Sequence, residues 1–226
     1  MTREKLLKKA KAVVFNLEMS IAVINNLKTE TRRILKVKDP SLTFKNFQGG
    51  TGKICALFDN RDTFRNSKTT YSFECINMKH KVGDILWLRE PAKVLEFYSR
   101  GTVEYEYLSD HKRGSYKIPL DGQTLPRWIT EHQGVPNGCT KDMARIFLEV
   151  ISVRVEKLND ITTEGIIKEG FNSKICKIPG YPDETVITHA APVWWKRVWD
   201  GTAGEGSKIE DNPAISVTEF RIIYPD

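Results

Sequence analysis

Residues 16–34 change hydrophobic period in mid-stretch, from a helix-like to a strand-like pattern. Leu17, Ile21 and Ile24 recur at four- and three-residue spacing, which predicts a short amphipathic helix with Asn16 as its N-cap. Asn25 and Asn26 then suit a left-handed C-terminal turn. From Thr29 the chain turns polar and threonine-rich, as in an extended segment. Thr29, Thr31 and Arg33 fall on one face of that segment, and Glu30, Arg32 and Ile34 on the other. Lys28 stands at the junction. The plain interpretation is a solvated edge strand with ordinary surface charges. The sharper one is a pocket wall, in which Lys28 offers a point charge, Thr31 a hydroxyl and Arg33 a rigid guanidinium fork to a polar ligand.

The rest of the chain alternates short strand signals with loops. Glu4 to Val13 is a basic amphipathic lead-in. Lys38 to Asn66 carries paired glycines and Asp39-Pro40, so it reads as loop, with one short strand at Lys53 to Phe58. Thr69 to Cys75 and Ile85 to Arg89 predict strands, the second entered through a turn at Lys81-Val82-Gly83-Asp84. Val94 to Tyr98 and Thr102 to Tyr107 flank Ser99-Arg100-Gly101 as a hairpin. Seven glycines and prolines between His111 and Lys141 predict a long insertion with at most one short helix, near Trp128. Ala144 to Val155 is the strongest strand. Its apolar phase shifts from Ile146, Leu148 and Val150 to Ile151, Val153 and Val155, which calls for a bulge near Val150 to Ser152. A capped helix over Thr163 to Glu169, stopped by Gly170, comes next. After a loop from Asn172 to Thr188, the tryptophan-rich stretch His189 to Trp199 predicts a helix, its aromatic stripe better suited to packing than to base stacking. A last strand lies near Ala214 to Tyr224.

A chain of 226 residues can bury a sizeable core, and one domain with insertions is the expectation. With 40% hydrophobic and 28% charged residues and no apolar run of bilayer length, a soluble cytoplasmic protein without a membrane partner is expected. The net charge of +6 favours anionic partners, although the lysines are scattered beyond the N-terminus. Cys55, Cys75, Cys139 and Cys176 lie far apart and the four histidines lack ligand spacing, so reduced structural cysteines, no metal and no cofactor are expected.

The motif Lys28-x-x-Thr31-x-Arg33, preceded by a short helix, resembles the signature of ASCH domains, small barrels of the PUA-like superfamily with the pattern G-x-K-x-x-E/T-x-R. Asn26 stands where that pattern has glycine, and asparagine tolerates the left-handed conformation. Further matches follow in the order of phage and prophage ASCH proteins: residues 82–90, 143–150, 155–161, 169–171, Trp199-Asp200 and Asn212-Pro213. The resemblance spans nearly the whole chain and implies an α+β fold, a PUA-like small mixed β-barrel with flanking helices and long loop insertions at about 36–81 and 98–143. It also implies a nucleoside or RNA ligand. In relatives that hydrolyse N4-acetylcytidine, a lysine, a threonine and a glutamate are catalytic, and these fall on Lys28, Thr31 and Glu169. Thr31 would then be the nucleophile, Lys28 the base and Glu169 its orienting partner. Arg33, Arg89 and Glu90 become ligand-binding candidates. Two other activities are compatible with the same resemblance: a non-catalytic module holding RNA or a modified base, and a metal-free single-strand ribonuclease. One difficulty is internal, since residues three apart on a regular strand point to opposite faces.

Overall fold

A computed structural model describes residues 2–36, 38, 43–50, 53–59, 73–118, 125–175 and 177–225. In chain order the principal elements are α1 (Arg3–Lys9), β1 (Lys11–Val14), α2 (Leu17–Ile24), β2 (Glu30–Ile34), β3 (Thr43–Gly50), β4 (Lys53–Asp59), β5 (Phe73–Asn77), β6 (Ile85–Arg89), β7 (Ala92–Tyr98), β8 (Thr102–Tyr107), β9 (Arg113–Lys117), α3 (Arg127–Thr130), β10 (Phe147–Lys157), α4 (Thr163–Lys168), α5 (Asp183–Asp200) and β11 (Ala214–Ile223). The α+β class is as expected. Among the described residues no sheet closes on itself as a barrel. The chain divides into two compact units, each built from separated segments, and β10 and β11 contribute residues to both.

The first unit takes Met1–Thr29, Gly83–Glu149 and Phe220–Asp226. Here β6 lies between β1, its parallel neighbour, and the start of β10, which runs antiparallel to it with Phe147 opposite Trp87. The expected hairpin is present as β7 and β8, with Gly101 at φ 81° in its turn, and β9 adds a third antiparallel strand. That strand lies inside the stretch expected to be loop. The short helix near Trp128 is α3. Leu6, Val94, Val103, Ile129, Met143 and Phe147 gather into one buried cluster.

Helix α2 illustrates how local chemistry fixes a junction. The Asn16 Oδ1 accepts from the Met19 amide at 2.8 Å, which starts the helix. At its end, the Asn26 amide donates to the Val23 carbonyl and the Leu27 amide to the Ala22 carbonyl, with Asn26 at φ 55°. This is the Schellman pattern, with asparagine in the left-handed position that glycine usually fills. The Lys28 amide donates to the same Ala22 carbonyl at 3.1 Å, so the turn also anchors Lys28. The buried face differs from the expected one: Met19, Ala22 and Val23 are buried, whereas Leu17 and Ile21 are 39% and 37% exposed. Both stripes have helical spacing, and periodicity alone does not choose between them.

The second unit takes Glu30–Val82 and Val150–Glu219. Its sheet places β11 between β10 and β2, with β2 antiparallel to β11 in the register Thr31 opposite Thr218. A second sheet runs β3-β4-β5, all antiparallel. Thus β3 falls in the region expected to be loop, while the expected strand at Thr69 to Cys75 lies partly outside the described residues. Along β10 the burial phase moves from Val150 to Val153, but Ile151, expected to join Val153 and Val155 on the apolar face, is exposed. Helix α4 begins where Thr162 Oγ1 accepts from the Gly165 amide, and ends at Gly170, whose φ is 111°. Helix α5 starts at Asp183, earlier than expected, and buries Trp195 and Trp199 with Leu158, Ile166, Ile215 and Val217.

Candidate functional site

Strand β2 separates two environments by simple alternation. One face carries Thr31 and Arg33. The Leu35 amide donates to the Ala214 carbonyl at 3.0 Å, and counting back by twos makes Thr31 and Thr218 a hydrogen-bonded pair. Cross-strand partners share a face, with Cα atoms of such a pair about 5.5 Å apart. Thr31 is 2% exposed, Thr218 4% and His80 6%. The His80 Nδ1 lies 3.5 Å from the Thr218 Oγ1, at the long end of a hydrogen bond. The Thr31 Oγ1 is buried and has no hydrogen-bond partner among the described residues. A buried hydroxyl left without any partner costs about 1–3 kcal/mol.

Arg33 lies two residues further along the same face. Its side chain is exposed, yet surrounding protein lowers its pKa, partly offset by the nearby Glu169 carboxylate. Its Nη1 donates to the Arg32 carbonyl at 2.9 Å, and Ser216, half-buried opposite it, donates to the Arg33 carbonyl at 3.2 Å.

The opposite face of β2 is an ionic cluster. Arg32 is buried and reaches Glu30 at 3.1 Å, Glu169 at 3.2 Å and Glu156 at 3.5 Å. Arg154 bonds both Glu30 oxygens, at 3.0 and 3.2 Å, and Lys168 bridges Glu30 to Glu219 at 3.3 and 3.1 Å. Burial alone would raise the Glu30 carboxyl, but the Arg154 hydrogen bond and the charges of Arg32, Arg154 and Lys168 outweigh it and hold Glu30 below the usual carboxylate value. Glu169 caps the C-terminus of α4, where an acidic group opposes the helix dipole. Arg32 compensates, since its Nη1 also reaches the Gly165 carbonyl at 3.4 Å. A Cβ at Gly165 would stand 2.9 Å from the Arg32 Nη2, so any larger residue there would push the guanidinium aside.

The remaining predicted residues belong to the first unit. Lys28 is 2% exposed, with Nζ 5.2 Å from the centroid of Phe15, whose ring packs against Phe220 at 6.1 Å. Glu90 is fully buried and grips Arg145 in a two-pronged pair of 2.7 and 2.9 Å, while Ser109 Oγ donates to it at 2.8 Å. Arg145 also bonds Asp110 and lies 3.7 Å over the Tyr107 ring, and its pKa is raised by Glu90 and Asp110 against the cost of burial. Arg89 donates to the Pro136 carbonyl at 3.2 Å. In this arrangement Arg89 Nη2 and the Glu90 carboxylate tie down residues 136–145, while the buried Arg89 Nε has no hydrogen-bond partner among the described residues.

The structure therefore brings Thr31 and Arg33 onto one face and Glu169 within reach of Arg33's charge. No hydrogen bond joins Thr31 to Glu169. Sequence reasoning missed Thr218, His80, Arg32 and Arg154, which come from distant segments and carry no local spacing signal. On the outer side of α5, Trp194, Phe171, Tyr181, Val193 and Ile178 line an apolar groove of about 690 Å³, while Trp195 and Trp199 serve the core as expected. Among the described residues no group of histidine, cysteine and carboxylate side chains is arranged to hold a metal, and no helix is long and apolar enough to cross a membrane. No protein-family model matches the chain, and neither the curated proteins nor the solved structures contain a match.

Proposed function

We propose that the chain is an ASCH-type, PUA-like protein that binds a nucleoside, free or within RNA, on the Thr31 and Arg33 face of β2. The observation that carries this reading is the Thr31 hydroxyl: it is buried, it has no hydrogen-bond partner among the described residues, and Arg33, an exposed residue, stands two positions along the same face. A ligand that offered such a group a hydrogen bond would recover the cost of its burial. The helix that ends in left-handed Asn26 immediately before Lys28 supports the same family pattern. In this reading Thr31 bonds the edge of the base and Arg33 takes a phosphate or an exocyclic oxygen.

Hydrolysis of an N4-acylated cytidine is a second reading, favoured by the same lone hydroxyl. Thr31 Oγ would add to the amide carbonyl, its proton passing to the base, the role the resemblance assigns to Lys28. Cleavage of the C–N bond would return a proton to the departing 4-amino group, and water would release the acid from the threonyl ester. Glu169 is held by Arg32 at 3.2 Å, which suits an orienting group better than a free base. Calorimetric titration with cytidine and N4-acetylcytidine, alongside ultraviolet assay of cytidine release, tests both. Binding without turnover supports the module. Turnover that vanishes in Thr31→Val supports the hydrolase. No binding and no turnover overturns the proposal.

A further inference from the structure

Thr31 is one half of a pair. Antiparallel register sets Thr218 directly opposite it on the same face, and both side chains are buried. The Thr218 hydroxyl lies 3.5 Å from the His80 Nδ1, so its rotor has a preferred direction, while the Thr31 hydroxyl has none imposed among the described residues. Toward the outside of the same two strands, Arg33 is exposed and Ser216 half-buried. A ligand seated beside Arg33 and Ser216 would lie one row of side chains, about 7 Å, from the two threonine hydroxyls, which are buried in this structure.

We propose that Thr218, oriented by His80, is a recognition residue that works with Thr31 to read a ligand edge carrying a donor beside an acceptor, such as the 4-amino group and ring nitrogen of cytosine. The inference rests on the nucleoside reading above and adds the residues that choose the base. Each hydroxyl can donate or accept, so the pair alone is permissive. His80 makes it selective by biasing one of the two. Thr218 touches the ligand, and His80 is a positioning residue acting through it.

The test uses the full chain titrated calorimetrically with cytidine and with 2-pyrimidinone riboside, which lacks the 4-amino group. Thr218→Val should weaken cytidine about tenfold and leave the 2-pyrimidinone riboside within about twofold, because the lost bond is specific to that edge. Thr218→Ser keeps the hydroxyl and should restore cytidine binding. In a His80→Phe background, Thr218→Val should cost little more, since the orientation is already lost. Thermal unfolding of each variant reports folding, and Thr218→Ser serves as the folded control if Thr218→Val is unstable. Equal losses for both ligands would assign Thr218 to structure and overturn the inference while leaving the nucleoside reading in place, as would unchanged cytidine affinity. A wild type that binds neither ligand overturns both.

Discussion

Replacing Arg32 by leucine should be the most damaging single change in the second unit. The guanidinium is buried against Glu30, Glu169 and Glu156, at 3.1, 3.2 and 3.5 Å, and also holds the Gly165 carbonyl. Leucine removes the cation those carboxylates share and leaves unfilled volume beside Gly165. Breaking a buried ion pair by deleting one member costs about 3–5 kcal/mol, and a cavity of a few atoms about 1 kcal/mol more. The expected loss near neutral pH is therefore about 4–6 kcal/mol. Its pH dependence identifies the cause. The Glu30 carboxyl is held below its ordinary value of 4.5 in the folded protein, so its contribution is complete above about pH 4.5 and disappears as the pH falls through the folded value. Arg32 supplies part of that depression, so the gap between wild type and variant should narrow on acidification. A pure cavity would keep it constant. Urea unfolding followed by tryptophan fluorescence, with Trp195 and Trp199 buried in the same unit, measures both quantities, provided the denaturant slope is unchanged. A loss under about 1.5 kcal/mol, or a gap that stays constant as the pH falls from 7 to well below 4.5, would refute the electrostatic account.

Three further outcomes follow from the geometry. Gly138→Ala should lower stability by several kcal/mol in thermal unfolding, because φ is +83° and the new Cβ would stand 2.5 Å from the Arg89 carbonyl oxygen and 2.9 Å from that of Glu90, on rigid backbone. Asn26→Gly should be neutral or slightly stabilising, whereas Asn26→Val should cost about 1–2 kcal/mol by the same measurement, since a β-branched residue resists φ 55°. The Cys139 thiol is fully buried and its pKa is pushed up to about 12, so under native conditions at pH 8 an alkylating reagent should modify it only as fast as the surrounding structure opens. Rapid labelling would contradict that burial.

What could be read from the chain in advance was whatever depends on neighbours in sequence. Asn16 as a cap, Asn26 as a left-handed stop, Thr162 and Gly170 bounding α4, and the hairpin around Gly101 all follow from side-chain chemistry within a few residues. Where two solutions satisfy the same local rule, the rule is silent. Helix α2 has two apolar stripes of helical spacing, and packing selected Met19, Ala22 and Val23 over Leu17 and Ile21. Strand β9 was hidden because Arg113, Ser115 and Lys117 point outward and only Gly114 and Tyr116 turn toward protein, so its composition is that of a loop.

The candidate site shows the same division at the level of chemistry. Alternation along β2 placed Thr31 with Arg33 and set Arg32 apart from both, and the register with β11 agrees with it. Alternation says nothing of what faces each side. Arg32 became the centre of a cluster only because Glu156 and Glu169 arrive from β10 and the end of α4, 124 and 137 residues away along the chain. Thr31 gained a counterpart only because Thr218 is register-matched to it. The two faces then divide the work. The Arg32 face carries charges of both signs that tie the strand to β10 and α4, although Arg32 Nε, like the Thr31 hydroxyl on the other face, has no hydrogen-bond partner among the described residues. A strand held rigid from one side can keep an unmet polar group on the other without collapsing around it, which is the condition a preformed recognition surface needs.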